Sequence, residues 1–168
     1  AAVAARADTS ITRLPTPLDA SLQIGGTLHS LDLSASEAIT GLTVAGNVTS
    51  LLEKPAWDLE ATLVEFVLDA DAGRSIRDAE LSTAGTLDTY AITAQLAVAG
   101  LVDASPVTID ARATGSNDRL DIAQLELSHP TARLGASGRL DFPARFSGLV
   151  DVYAVRLDRW LPNLDETH

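Results

Sequence analysis

The chain has 168 residues, 46% of them hydrophobic and only 4% aromatic, with a formal net charge of −11. That length suits one domain able to bury or line an apolar surface, and the apolar content is too high for intrinsic disorder. The acidity argues against nucleic acid and anionic membrane surfaces as partners, since both require clustered Lys and Arg.

There is no cysteine, so neither a disulfide framework nor a thiolate metal site exists. There is no methionine either, which leads us to expect a processed or excised piece of something longer. Arg outnumbers Lys eleven to one, a pattern common in GC-rich bacterial genomes. No run of about 18 apolar residues is present to span a bilayer as a helix. Ala1–Ala5 is too short for a signal peptide core.

Residues 1–17, with Pro15 and Pro17, read as an irregular lead-in to a single domain over 18–168. Leu18, Ala20, Leu22 and Ile24 then alternate with Asp19, Ser21 and Gln23, which is a strand with one apolar and one polar face. Gly25-Gly26 closes it. Trp57, Leu59, Ala61 and Leu63 alternate with Asp58, Glu60 and Thr62. The apolar positions then slip to Val64, Phe66 and Leu68, a change of phase that a β-bulge explains. Asp69–Arg77 offers room for one short helical turn.

Tyr90, Ile92, Ala94, Leu96 and Val98 form the clearest alternation, and Val107, Ile109, Ala111 and Ala113 continue it. After the turn at Gly115-Ser116-Asn117-Asp118, Leu120 and Ile122 lie in one parity but Leu125 and Leu127 in the other, a second bulge signal. Following His129-Pro130, Ala132, Leu134, Ala136, Leu140 and Phe142 alternate with Arg133, Ser137, Arg139 and Asp141. Leu157–Leu161 could hold a last helical turn, stopped by Pro162. About ten strands on short turns predict an all-β antiparallel meander.

A faint repeat runs through this pattern. Gly26–Ala35 aligns with Gly85–Ala94 and with Gly115–Ile122, and Trp57–Asp69 aligns with Phe146–Asp158. Gly26 to Gly115 and Trp57 to Phe146 share one offset, which suggests related units over 18–106 and 107–168, each burying its edge on the next.

Catalytic and metal signals are weak. His29, His129 and His168 are scattered, without ligand spacing, and read as turn-exposed imidazoles. Asp69 with Asp71, or Asp118 with Asp121, are explained by solvation at polar positions. Gly135-Ala136-Ser137-Gly138 lies inside an alternating strand rather than at a nucleophile elbow, and no glycine-rich phosphate loop opens a helix. The sequon Asn47-Val48-Thr49 sits within a strand pattern and is set aside. The expectation is a protein without catalytic site, metal or cofactor.

The informative feature is the apolar face. Two architectures accommodate it: a β-sandwich, in which two such faces cover each other, or an elongated, curved sheet whose apolar concave groove stays open. Few aromatic anchors, short turns without a Greek-key crossover, and serial hairpins favour the groove without deciding the matter. Its candidate lining is Leu22, Ile24, Val44, Trp57, Leu59, Leu63, Leu81, Ile92, Leu96, Val98, Val107, Ile109, Leu125, Leu127, Leu134, Leu140 and Phe142.

The chain resembles the TamB and wider AsmA-like bridge family. The likeness is carried by Ala84-Gly85-Thr86-Leu87-Asp88, by Ser137-Gly138-Arg139-Leu140-Asp141, and by Phe146–Leu157 followed by Asp158-Arg159-Trp160-Leu161-Pro162. It extends over most of residues 18–164. The resemblance implies an internal segment of a periplasmic protein, anchored in the inner membrane by a segment absent here. It also implies passage of phospholipids between inner and outer membrane. An outer-membrane assembly β-barrel is the implied partner, reached through regions outside this chain. Phospholipid acyl chains, or self-association of the isolated chain, are the expected cover for the groove. The alternative is a non-catalytic structural or adhesive β-module of the cell envelope.

Overall fold

A computed structural model describes residues 2–11, 18–102, 105–142 and 145–154. Eleven strands run in chain order: β1 (Ala2–Ile11), β2 (Leu18–Thr27), β3 (Ser30–Glu37), β4 (Leu42–Thr49), β5 (Ala56–Asp69), β6 (Arg74–Thr86), β7 (Tyr90–Ala99), β8 (Val107–Gly115), β9 (Arg119–His129), β10 (Ala132–Asp141) and β11 (Arg145–Ala154). They form one sheet in the order of the sequence, with every neighbour antiparallel. No helix occurs among the described residues. The helical turn expected at Leu157–Leu161 and the Asp158–Pro162 element lie outside them.

The sheet is open. β1 and β11 are its two edges, and no described strand joins them. Substantial contact between strands is confined to sequence neighbours, so among the described residues no second layer packs on either face. The sandwich alternative therefore does not form. Each strand pairs with the one before it in the sequence, and a strand returning to its neighbour stays in the same sheet. Only Val98 and Val107 are buried hydrophobic residues among those described. The chain exposes 11491 Å², whereas a compact monomer of 17.6 kDa exposes about 7,900 Å². Ten inter-strand steps of about 4.8 Å make the sheet about 48 Å long across its strands.

Bulges bend the sheet. The Val64 and Glu65 N–H groups both donate to the Thr40 carbonyl, at 3.2 and 3.0 Å, so two residues of β5 face one acceptor. β6 shifts register against β7 between Arg77 and Glu80, around Asp78 at φ 48°. β9 carries an extra residue near Ala123 and Gln124, displacing its register with both β8 and β10. Each extra residue returns the apolar side chains to one face and increases local bend and twist. The two phase changes in the sequence, at Leu63–Val64 and Ile122–Leu125, fall on these bulges.

Two local expectations need correction. Residues 2–11, expected as irregular, form β1, paired with β2 from Ala2↔Thr27 to Ile11↔Leu18. Ala5 and Ala7 against Arg6 and Asp8 give little contrast in the sequence, but an edge strand is held by main-chain bonds that need no large side chain. Asp69–Arg77 holds a reverse turn rather than a helical one. Asp69 Oδ1 accepts the Ala72 N–H at 3.0 Å, and the Ala70 carbonyl accepts the Gly73 N–H at 3.2 Å. With Gly73 at φ 65°, the chain reverses straight into β6.

The aligned glycines of the sequence repeat occupy matching places. Gly26 and Gly85 are each the last inward position before a hairpin, at φ 121° and 143°. A Cβ on Gly26 would strike the Ser30 carbonyl oxygen, and one on Gly85 the Thr89 carbonyl oxygen. Gly85→Val should therefore destabilise the fold by about 1–3 kcal/mol in denaturant unfolding. Gly135→Ala, where an added Cβ meets nothing within 4 Å, should stay within about 0.5 kcal/mol of the parent. Equal losses at both positions would mean the glycine strain is misassigned.

An apolar trough as the candidate functional site

Residues directly opposite in an antiparallel sheet share a face, so the register sorts the candidate lining into cross-strand rows. Near one rim runs Gly26, Leu31, Val48, Trp57, Gly85, Tyr90, Gly115, Leu120, Leu140 and Phe146. Beside it lies Ile24, Leu33, Gly46, Leu59, Thr83, Ile92, Ala113, Ile122 and Gly138. The third row is Leu22, Ala35, Val44, Ala61, Leu81, Ala94, Ala111, Leu125, Ala136 and Val150.

Toward the other rim, Leu96, Ile109, Leu127, Leu134 and Val152 align, with Val98 opposite Val107 beyond them and Leu63 opposite Ala79. Phe142 follows β10 directly and is half exposed. Sixteen of the seventeen predicted lining residues thus share one face by register, and Phe142 lies just beyond β10. The register adds Leu31, Leu33, Val48, Phe66, Ile76 and Tyr90, which the sequence reading had not placed in the lining. Leu31-Asp32-Leu33-Ser34 carried the alternation that would have revealed the first two.

Most of these side chains are half-buried although no second layer among the described residues covers them. They are shielded by one another, as on the inside of a bend. Glycines within the rows leave room for large neighbours: a Cβ on Gly115 would collide with the Tyr90 ring. The Trp57 and Tyr90 rings, whose strands flank Gly85, lie 5.9 Å apart between centroids at 40°.

Polar atoms on this face are satisfied. Trp57 Nε1 donates to Thr83 Oγ1 at 3.1 Å. The buried Glu37 carboxylate, at the end of β3, accepts the Ile39 and Thr40 N–H groups at 2.8 and 2.7 Å and so closes the β3–β4 hairpin. His129 was expected to be turn-exposed but is buried at the end of β9, with Nδ1 2.8 Å from Thr131 Oγ1. The tight turn into β10 folds its ring inward. His29 is exposed as expected, and His168 lies outside the described residues.

The opposite face is a polar lattice. Ser21 and Ser36 hydroxyls meet at 3.0 Å, and Asn47 Nδ2 donates to Ser30 and Asp32, each at 2.9 Å. Arg77 pairs with Glu65 at 2.8 Å, Arg139 with Asp121 at 2.6 Å, and Arg133 with Glu126 at 3.0 Å. Hydrogen bonding from Arg77 holds the Glu65 carboxyl below its usual value, and Ser116 does the same for Asp118. Asp121 pushes Arg139 upward. Arg119 lies between the two carboxylates, 3.5 Å from Asp121 and favouring the charged form of Asp118.

A shallow depression of about 380 Å³ lies among Glu60, Thr62, Glu80, Ser82, Thr93 and Gln95. Its carboxylates are on exposed residues. Among the described residues no His, Asp and Glu cluster is arranged to hold a metal ion. Comparison with protein-family models, curated proteins and solved structures found nothing that matches this chain.

Two measurements check the assignment of faces. Ile92→Asp places a carboxylate among the half-buried apolar rows and should cost about 1–3 kcal/mol. Thr93→Asp, between Ser82 and Arg112 on the polar face, should change stability by no more than about 0.5 kcal/mol. Comparable damage from both would show the faces to be reversed. For Glu65, a folded-state pKa below the usual 4.5 means its contribution is present above that pH and is lost as pH falls below it. Glu65→Gln should flatten that part of the stability–pH curve, and an unchanged slope would dismiss the Arg77 pair as a contributor.

Proposed function

We propose that the chain is a passive acyl-chain conduit: a length of apolar trough in which side chains take the place of water around phospholipid tails. The observation that carries this reading is an apolar face, continuous from β2 to β11, that no second layer covers among the described residues. Contiguous exposed apolar patches beyond a few hundred Å² are rare on monomeric soluble proteins and mark surfaces that something else occupies. Each methylene moved from water to the lining contributes about 0.8 kcal/mol. Main-chain groups are paired within the sheet, and the Trp57 and Thr83 polar atoms satisfy each other, so the lining presents little that requires water.

The rims suit the same role. Leu51 and Leu52 in the β4–β5 hairpin, Leu87 in the β6–β7 hairpin, and Ile39 and Leu101 on the opposite rim are all exposed. An acyl chain crossing either rim therefore meets apolar side chains first. In a periplasmic bridge of the AsmA-like kind that the sequence resembles, such a trough forms part of the lipid path between the membranes, with outer-membrane assembly partners engaged elsewhere in the protein.

Site-specific photo-crosslinking tests the proposal. A crosslinker at Leu96, Leu134 or Leu140 should capture phospholipid in cells. At Arg133 or Arg139, whose side chains pair with Glu126 and Asp121 on the polar face, it should not. A lipid-free protein with no capture at any lining position would replace the conduit with a structural or adhesive envelope module.

A further inference from the structure

The lining is apolar almost throughout. In the row from Gly26 to Phe146, the row from Ile24 to Gly138 and the row from Leu22 to Val150, side-chain nitrogen or oxygen occurs at Trp57, Tyr90 and Thr83 alone. The three are neighbours. Trp57 and Tyr90 flank Gly85 in the rim row, and Thr83 lies between Leu59 and Ile92 in the row beside it. Thr43, Thr62, Thr93 and Thr114 follow the alternation onto the polar face, whereas Thr83 stands among the apolar residues.

Trp57 Nε1 donates to Thr83 Oγ1 at 3.1 Å, and both residues are half-buried. That bond satisfies the indole and uses one lone pair of the hydroxyl, which keeps its own proton to donate. Among the described residues the Thr83 hydroxyl makes no other hydrogen bond. A hydroxyl that already accepts is polarised into a stronger donor. The indole is itself held, with its ring centroid 5.9 Å from that of Tyr90. The Tyr90 ring lies over Gly115, and its hydroxyl donates to the Ser116 carbonyl at 3.5 Å. One donor is thus fixed within an apolar surface.

We propose that Thr83 is the ester-recognition point of the trough: its hydroxyl donates to an ester carbonyl of a diacyl lipid, and Trp57 is the positioning residue that directs the donor. This rests on the conduit reading and adds the chemical class and the orientation of its lipid. Length decides the orientation. From Ile92, beside Thr83, β7 runs about 20 Å to Val98 but about 7 Å back to Tyr90. A tail needs about 15 Å, half of a bilayer's hydrocarbon core of about 30 Å. Tails therefore fit toward Val98, over the Leu22–Val150 row and the Leu96–Ile109–Leu127–Leu134 row, which hold no polar side-chain atom. The headgroup emerges at the rim formed by the β4–β5 and β6–β7 hairpins. Trp57 and Tyr90 then stand at the boundary between apolar and wet surroundings, which amphipathic rings favour. A purely structural Thr83, present to satisfy the indole, would be indifferent to how the tails are linked.

Competition for capture by a crosslinker at Leu96 tests the assignment. Purified protein is labelled with radioactive diacyl phosphatidylethanolamine in detergent micelles. Unlabelled diacyl or dialkyl-ether phosphatidylethanolamine of the same chain length then competes. The ether lipid keeps the headgroup and tails and lacks the carbonyls. The diacyl lipid should compete about three- to tenfold better, the net worth of one hydrogen bond. In Thr83→Val the two lipids should compete equally. Thr83→Ser keeps the hydroxyl and should keep the preference, and Trp57→Phe, without the N–H, should reduce it. Circular dichroism confirms that each variant is folded. Equal competition in the wild-type protein overturns the assignment and leaves the conduit standing, and that comparison decides even if Thr83→Val does not fold. A preference unchanged in Thr83→Val, or lost in Thr83→Ser, overturns it as well. Absence of any lipid capture overturns both the assignment and the conduit.

Discussion

A single layer of sheet must satisfy its backbone and still leave one apolar face without protein cover. Main-chain hydrogen bonding solves the first requirement completely between neighbours, because each strand returns antiparallel to the one before it. The described residues leave the second requirement unsolved. In a globular domain the apolar faces of two layers remove each other from water. Here stability must come from lateral contacts along the rows, such as Leu96–Ile109–Leu127–Leu134, and from curvature that lets neighbouring side chains shield each other.

Curvature therefore carries structural weight. A flat sheet with these side chains would expose them much more fully. The bulges at Val64–Glu65, around Asp78 and near Ala123–Gln124 bend the strands and at the same time correct the parity of the residues beyond them. The β5 and β6 bulges lie side by side, so Phe66 and Ile76 turn inward together and remain directly paired. On the outer side the same shift brings Glu65 opposite Arg77. One inserted residue in each strand thus serves both faces.

The charged groups of this sheet are spread over its polar face. Asp121 is engaged in a cross-strand pair and Glu37 in a capping turn, and His29 and His129 lie in different hairpins. What the sheet offers is extent, a surface of uniform chemistry along a defined direction. On the function proposed above, that extent accommodates long apolar molecules, whereas recognition of a compact ligand requires convergent polar groups in a concave pocket.

Much of this was legible in the amino-acid sequence because β-structure writes its faces with a period of two. Tyr90–Val98 and Val107–Ala113 identified their strands, and the broken phases at Leu63 and Ile122 marked their bulges. β1 was passed over because its inward residues Ala5 and Ala7 are too small to mark an apolar face strongly, and its pairing is made by main-chain atoms common to all residues. The inward position of His129 was hidden because it depends on the path of the turn into β10. The choice between sandwich and open trough was not in the pattern at all. An amphipathic strand has the same alternation whether its apolar face meets another sheet or meets lipid. Only the tertiary structure decided it, because that choice depends on which strands become neighbours in space, and here each strand pairs only with those adjacent to it in the sequence.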